Sequence, residues 1–306
     1  MLTPAPSRHR RFKQSRVLIV GCGDVGLRAA QALLPQVRVL ALTSNAERRA
    51  GLRAVGIQPL WGNLDEPASL ARLAGLGQRV LHMAPPPSQG AGDPRTAALL
   101  AALARRSRPA TLVYGSTTGV YGDAQGAWVD ETRGVAPATD RGRRRVAAEG
   151  LLRRWGQRMP GATRCTVLRI PGIYALDRDG GDPRERVRRG SPVLCPADDV
   201  YTNHIHANDL ARAAVLALWR ARPGRVVHVS DDTELKMGDY FEQVALHFGL
   251  PTPSRVSRDE ARQQLSPMQM SFMAESRRLR NARMKAELGL RLKHPTVRDG
   301  WGPAAP

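Results

Sequence analysis

Between residues 17 and 230 the chain alternates short apolar runs with longer helix-period segments, and this rhythm constrains the fold more than any other feature. The runs are Val17–Val20, Val37–Leu42, Ile57–Trp61, Val80–Ala84, Thr111–Gly115, Thr166–Ile170 and Val226–Val229. Between them lie Val25–Leu34, Ala46–Ala54, Pro67–Ala74, Pro94–Arg106, Arg143–Trp155 and Asp209–Trp219. Parallel neighbours need a crossover, usually a helix, so the alternation predicts an α/β, doubly wound parallel sheet. The runs are apolar at nearly every position, as strands covered by helices on both faces must be.

The segment Val17–Gly26 then carries a chemical signature. Gly21-Cys22-Gly23-Asp24-Val25-Gly26 follows the first strand and opens a helix, which is the GxGxxG context of a Rossmann-type dinucleotide site. Gly21 permits the tight turn, Gly23 lets backbone N–H groups approach a pyrophosphate, and Gly26 lets helix and strand pack closely. An NAD site would place Asp or Glu at the end of the second strand for the ribose 2′-OH. Here that place holds Thr43, Ser44 and Asn45, with Arg48 and Arg49 just beyond, so NADP is expected in preference to NAD.

Several further segments, in order, resemble the extended short-chain dehydrogenase/reductase family, the NAD-dependent epimerases and dehydratases. Gly62-Asn63-Leu64-Asp65 is similar to that family's adenine-contacting Gly-Asp-Leu, with Asn63 replacing Asp. His82-Met83-Ala84, Ser116-Thr117-Thr118-Gly119-Val120-Tyr121-Gly122, Leu168-Arg169 through Tyr174, and His204-Ile205-His206-Ala207-Asn208-Asp209-Leu210 resemble its later motifs. Ser230-Asp231-Asp232, Met237–Tyr240 and Ser276-Arg277-Arg278 are most similar to an atypical, YeeZ-like subgroup. The resemblance implies cofactor contacts from Asn63, Leu64, Met83, Ala84, Pro85, Ser116, Pro171 and Ile173, besides Gly21–Gly26, Thr43, Ser44 and Arg48.

The family's catalysis uses Asn, Ser/Thr, Tyr and Lys. Thr117 falls on the Ser/Thr position and Asp93 on the Asn position. With Gly142 and Glu149 holding the register, Tyr becomes Arg141 and Lys becomes Arg145. An arginine is not a workable proton donor near neutrality, although Arg145 can still hold ribose or phosphate. Any proton transfer then needs another group, with Tyr121 and Thr117 the first candidates and Asp123, Asp130, Glu131, Tyr174 and His206 behind them. Tyr121 is alternatively a pocket-lining aromatic, and His206 a turn residue before a helix cap. Cys22 is either activated by the helix terminus or a small filler.

The sequence therefore predicts an NAD(P)-binding oxidoreductase or epimerase with a degenerate tetrad, acting on a small, phosphorylated or nucleotide-linked substrate. The alternative is a non-catalytic NADP sensor. The formal charge of +20 is spread through an Arg-rich chain whose lysines are only Lys13, Lys236, Lys285 and Lys293. The basic runs lack interleaved aromatics, so nucleic acid is not the expected partner. Three isolated cysteines, without CxxC, suit the cytoplasm. No metal-ligand spacing and no membrane-length apolar run is present in the sequence. The expected layout is a disordered basic leader (1–15), a Rossmann domain (16–173, with 204–230 returning to the sheet), a smaller, mostly helical substrate lobe (174–203 and 231–299), and a loose tail (300–306). The resemblance implies a homodimer through the segment bearing Arg141 and Arg145, which its like charges oppose unless carboxylates or anions intervene.

Overall fold

The computed structural model describes residues 14–157 and 163–303. The first half runs β1 (Arg16–Val20), α1 (Asp24–Leu33), β2 (Arg38–Thr43), α2 (Arg48–Ala54), β3 (Gln58–Trp61), β4 (Arg79–His82), α3 (Pro94–Ala104) and β5 (Thr111–Thr117). A short β6 (Trp128–Val129) precedes α4 (Asp140–Gln157) and β7 (Arg164–Ile170). The chain then makes β8 (Gly172–Tyr174), α5 (Pro183–Arg188), β9 (Val193–Leu194), β10 (Tyr201–Thr202), β11 (His204–His206), α6 (Ala207–Arg220) and β12 (Arg225–His228). It ends with β13 (Leu235–Lys236), α7 (Met237–His247), β14 (Arg255–Val256), α8 (Arg258–Gln264), α9 (Pro267–Phe272) and β15 (Arg278–Leu279).

The principal sheet has the order β12-β7-β5-β4-β1-β2-β3, parallel throughout. Side-chain alternation divides its core into two. Val17, Ile19, Val39, Ala41 and Leu81 pack on one face with residues of α1 and α6. Leu18, Val20, Leu40, Leu42 and Val80 pack on the other with residues of α3 and α4. A one-residue slip in any strand would exchange these faces, so the paired cores fix the register. Sequence order reverses between β1 and β4. Ligands of open parallel sheets bind in the crevice at such a reversal, beyond the strand C-termini.

The apolar runs and helical segments fall on these elements to within a few residues. Pro67–Leu73 is a 3₁₀ turn in place of the expected α-helix, with Pro67 at its start. The segment 204–230 returns to the principal sheet only through β12, because β11 pairs instead with β8. The lobe joins α5, α7, α8 and α9 through short ladders: β8 with β11, β9 with β14, β10 with β13, and β15 with β6. The expected tail requires correction. Trp301 is buried against Tyr174, Tyr240 and Val297, because an indole in the lobe core removes a large apolar area from water. Residues 304–306, and the leader through residue 13, lie outside the described residues. Among the described residues no helix is long and apolar enough to cross a membrane.

Candidate functional site

The crevice between the ends of β1 and β4 has a volume of about 420 Å³ and is floored by Gly21–Gly23. Gly21 has φ +83°, and a Cβ there would lie 2.3 Å from the Ala84 backbone nitrogen. A Cβ on Gly26 would lie 2.8 Å from the Gly21 carbonyl oxygen, so both glycines are required by close backbone contact. Gly23 differs: a Cβ there would meet nothing within 4 Å, which leaves the loop's outer side open to a ligand. Gly23 caps α1 without a side-chain hydrogen bond, so first-turn N–H groups remain for an acceptor. These features fit a dinucleotide pyrophosphate.

Other loop side chains turn away from the crevice. Val25 enters the core. The Asp24 carboxylate accepts from Arg28 at 2.9 Å and Arg178 at 2.6 Å, tying α1 to the lobe, so that only the Asp24 backbone N–H is left to face a cofactor. Cys22 is buried, and burial pushes its thiol pKa up, which identifies it as a filler and not an activated thiol. Its carbonyl accepts from Arg48 Nη2 at 2.6 Å, so Arg48 ties the start of α2 to the glycine loop. Thr43, Ser44, Leu64, Met83, Ala84 and Pro85 also line this crevice. Asn63 lines it too, but its amide is occupied by its own turn, accepting from Asp65 N at 3.0 Å and donating to Glu66 at 3.1 Å. The carboxylate at the rim, Asp65, is gripped by Arg95 through bonds of 2.7 and 2.6 Å, which depresses its pKa.

A second cleft of about 580 Å³ lies between the sheet and the lobe. Thr117, Arg141, Arg145, Pro171 and Ile173 all line it. Thr117 Oγ1 accepts from Gly119 N at 3.2 Å. Arg145 Nη1 donates to the Gly115 carbonyl at 2.7 Å and to the Tyr114 hydroxyl at 3.0 Å, fixing the side chain against β5. Arg141 stacks over Phe272, with its guanidinium carbon 4.7 Å from the ring centre. Burial depresses its pKa, and Glu275 opposes the shift. The lobe adds Arg178, Arg186, Tyr201, His204, Glu275 and Arg277.

Three expected site residues lie elsewhere. Asp93 is the N-cap of α3, accepting from Thr96 N at 3.0 Å and Thr96 Oγ1 at 2.7 Å. Its buried carboxylate is consumed by capping, and it is absent from the lining of the cleft. Tyr121 turns inward, with 1% exposure; its hydroxyl accepts from Arg169 at 2.7 Å and lies 2.6 Å from His228 Nε2. Ser116 Oγ donates to Glu149 at 2.6 Å, and the buried residue lines neither cleft. The four groups form one buried chain, Ser116–Glu149–Arg169–Tyr121, with Glu149 and Arg169 joined by bonds of 3.1 and 2.6 Å. Burial drives the His228 pKa to about 4, so the ring is neutral and its Nε2 accepts the tyrosine proton. His206 is the N-cap of α6, as the turn reading expected, and Nδ1 accepts from Asn208 N at 3.2 Å.

Residues 17–230 match the family described as NAD dependent epimerase/dehydratase. This chain belongs to that family. Protein YeeZ of Escherichia coli K12 is 30% identical over 142 residues, covering 46% of this chain and 47% of its own length. The chain thus spans about half the length of the curated relatives it matches. A solved structure of a functionally unknown conserved protein from Silicibacter pomeroyi DSS is 35% identical, with a TM-score of 0.79, covering 94% of this chain and 96% of that one. MoeE5 in complex with UDP-glucose and NAD shares the fold at a TM-score of 0.74 and 19% identity, covering 95% and 97%.

Within the epimerase/dehydratase family this chain keeps the NAD(P)-binding Rossmann frame. Arg141 and Arg145 supply permanent positive charge to the cleft, in positions where the family resemblance places a tyrosine and a lysine. Sequence reasoning missed Arg277, Glu275, Tyr201 and His204 as cleft residues, because they come from lobe segments distant in sequence. Arg178 and Arg186 also reach the cleft from the lobe.

Proposed function

We propose that this protein is an NADP(H)-dependent oxidoreductase or epimerase of the short-chain dehydrogenase type, working on a small substrate in the lobe cleft without a tyrosine proton donor. The reading rests chiefly on one arrangement. Arg48, at the start of α2, donates to the glycine loop at 2.6 Å and lines the crevice with Thr43 and Ser44, where β2 ends without a carboxylate. A guanidinium there complements a 2′-phosphate, whereas a ribose 2′-OH calls for an acidic residue. Gly21–Gly26 would hold the pyrophosphate, and Leu64, Met83 and Ala84 the adenosine side of the crevice.

When bound, the nicotinamide supplies or removes a hydride. The residues facing the cleft would orient the substrate and stabilise developing negative charge: Thr117 by its hydroxyl, Arg141 and Arg145 by permanent charge. Three free thiols support residence in the reducing cytoplasm. The test is calorimetric titration with NADPH, NADP⁺ and NADH, repeated on Gly23→Arg, followed by a screen of carbonyl compounds and nucleotide sugars for NADPH oxidation. Dinucleotide binding abolished by the substitution, with turnover, supports the proposal; absence of dinucleotide binding overturns it. The second reading, an NADP sensor, is favoured by Arg141 at the tyrosine position and predicts binding with no turnover on any compound.

A further inference from the structure

Five arginines from three separate stretches of chain line the lobe cleft: Arg141 and Arg145 from α4, Arg178 and Arg186 from the β8–β9 segment, and Arg277 after α9. Among the described residues Glu275 is the one carboxylate lining it, and it is held by Arg277 at 2.7 Å. The one guanidinium of the described residues buried in the core outside the cleft, Arg169, meets Glu149 at 2.6 Å. Among the described residues Arg141, Arg145 and Arg186 have no ion-pair partner. The Nε–H groups of Arg178, Arg186 and Arg277 are sealed from solvent with no acceptor. Of the four arginine Nε–H groups so sealed among the described residues, three belong to this cleft and the fourth is Arg49. Unmatched donors are costly, and a cleft that gathers five guanidinium groups around one carboxylate suits an anionic ligand.

The side chains are also held in place. Arg178 Nη1 is fixed on Asp24 at 2.6 Å, Arg186 Nη2 on the Pro192 carbonyl at 3.1 Å, and Arg277 Nη1 on the Gly122 carbonyl at 2.8 Å. The aromatic rings that could stack a nucleobase are already used. Arg186 lies 4.7 Å from the centre of Phe241, Arg141 4.7 Å from Phe272, and Arg278 4.7 Å from Tyr201.

We infer that the lobe cleft is a receptor for a compact dianion without a base, a phosphomonoester or a dicarboxylate, and not for a nucleotide-linked compound. The inference takes up the proposed substrate site and narrows its ligand. In such a site the arginines neutralise the ligand and Thr117 meets its uncharged end.

The probes are inorganic phosphate, glycerol 3-phosphate, succinate and UDP-glucose, titrated by calorimetry with and without saturating NADPH. Glycerol 3-phosphate and succinate separate the phosphate from the carboxylate source. One of them is expected to bind at least tenfold more tightly than UDP-glucose. Arg186→Gln and Arg141→Gln should each weaken that binding tenfold or more, while NADPH affinity stays unchanged as evidence of an intact fold. UDP-glucose binding as tightly as either dianion, or dianion binding indifferent to both substitutions, overturns the inference, as does no dianion binding in either condition. NADPH titration is read separately, so loss of dinucleotide binding with dianion binding retained would count against the proposed function alone.

Discussion

Tyr121 shows how far a residue's role depends on the direction in which its backbone turns it. The turn Thr118–Tyr121 after β5 carries the ring inward, where its hydroxyl joins Arg169 to His228. Tyr121→Phe should therefore leave NADPH affinity unchanged and destabilise the fold by about 1–3 kcal/mol, the cost of unsatisfied buried groups. Glu149→Ala should cost more, about 3–5 kcal/mol, because it strands Arg169 and leaves Ser116 without its acceptor. Chemical denaturation of both variants, beside dinucleotide titration, checks these outcomes. A Tyr121→Phe protein of unchanged stability with altered cofactor or substrate handling would restore the tyrosine to the site. Spacing singled out Gly21, Gly23 and Gly26, and the family resemblance singled out Thr117, Arg141 and Arg145, which the structure brings to one cleft. Neither could show that Asp93 would be spent on capping α3, since capping and catalysis ask for the same oxygen atoms.

At the scale of elements, the β1–α1 turn separates structural from ligand-facing glycine. Gly21→Ala would force a Cβ to 2.3 Å from Ala84 N at φ +83°, so the melting temperature should fall sharply or the protein fail to fold. Gly23→Ala meets open space, so the melting temperature should change little while dinucleotide affinity drops. Thermal melts with and without NADPH distinguish the two; equal destabilisation by both would contradict this division. The inner strands of the principal sheet were legible because they bury runs of apolar side chains on two faces. The ladders of the lobe were not, since pairs such as Arg255–Val256 and Tyr201–Thr202 are too short to carry a period. Trp301 was misread for a similar reason: its Gly-Pro surroundings look like a tail, and only the lobe core it fills reveals its place.

Across the molecule, four buried histidines are stored neutral. Burial lowers the pKa values of His82 and His204 to about 3, and of His206 and His228 to about 4, from an ordinary 6.5. Between those values and 6.5 the unfolded chain binds more protons than the folded one, so these groups make stability rise with pH. Asp231 acts oppositely. Burial raises its pKa to about 8 from 3.8, so its favourable contribution at low pH is lost as pH rises through about 8. Four histidines outweigh one carboxyl below pH 6.5, and Asp231 alone of these groups acts between there and about 8. Denaturation across pH 4–9 should show a maximum near neutrality, and Asp231→Asn should flatten the alkaline decline. A stability maximum near pH 4 would contradict this account.

All of these features serve a sheet whose strand reversal presents a dinucleotide crevice, and Arg48 is the group expected to read the cofactor's phosphate. The most direct test is the pair of dissociation constants for NADPH and NADH, measured in the natural protein and in Arg48→Ala. The account predicts NADPH at least tenfold tighter in the natural protein, with the difference lost in the variant through weaker NADPH binding. Equal or tighter NADH binding in the natural protein, or selectivity indifferent to Arg48, would contradict it.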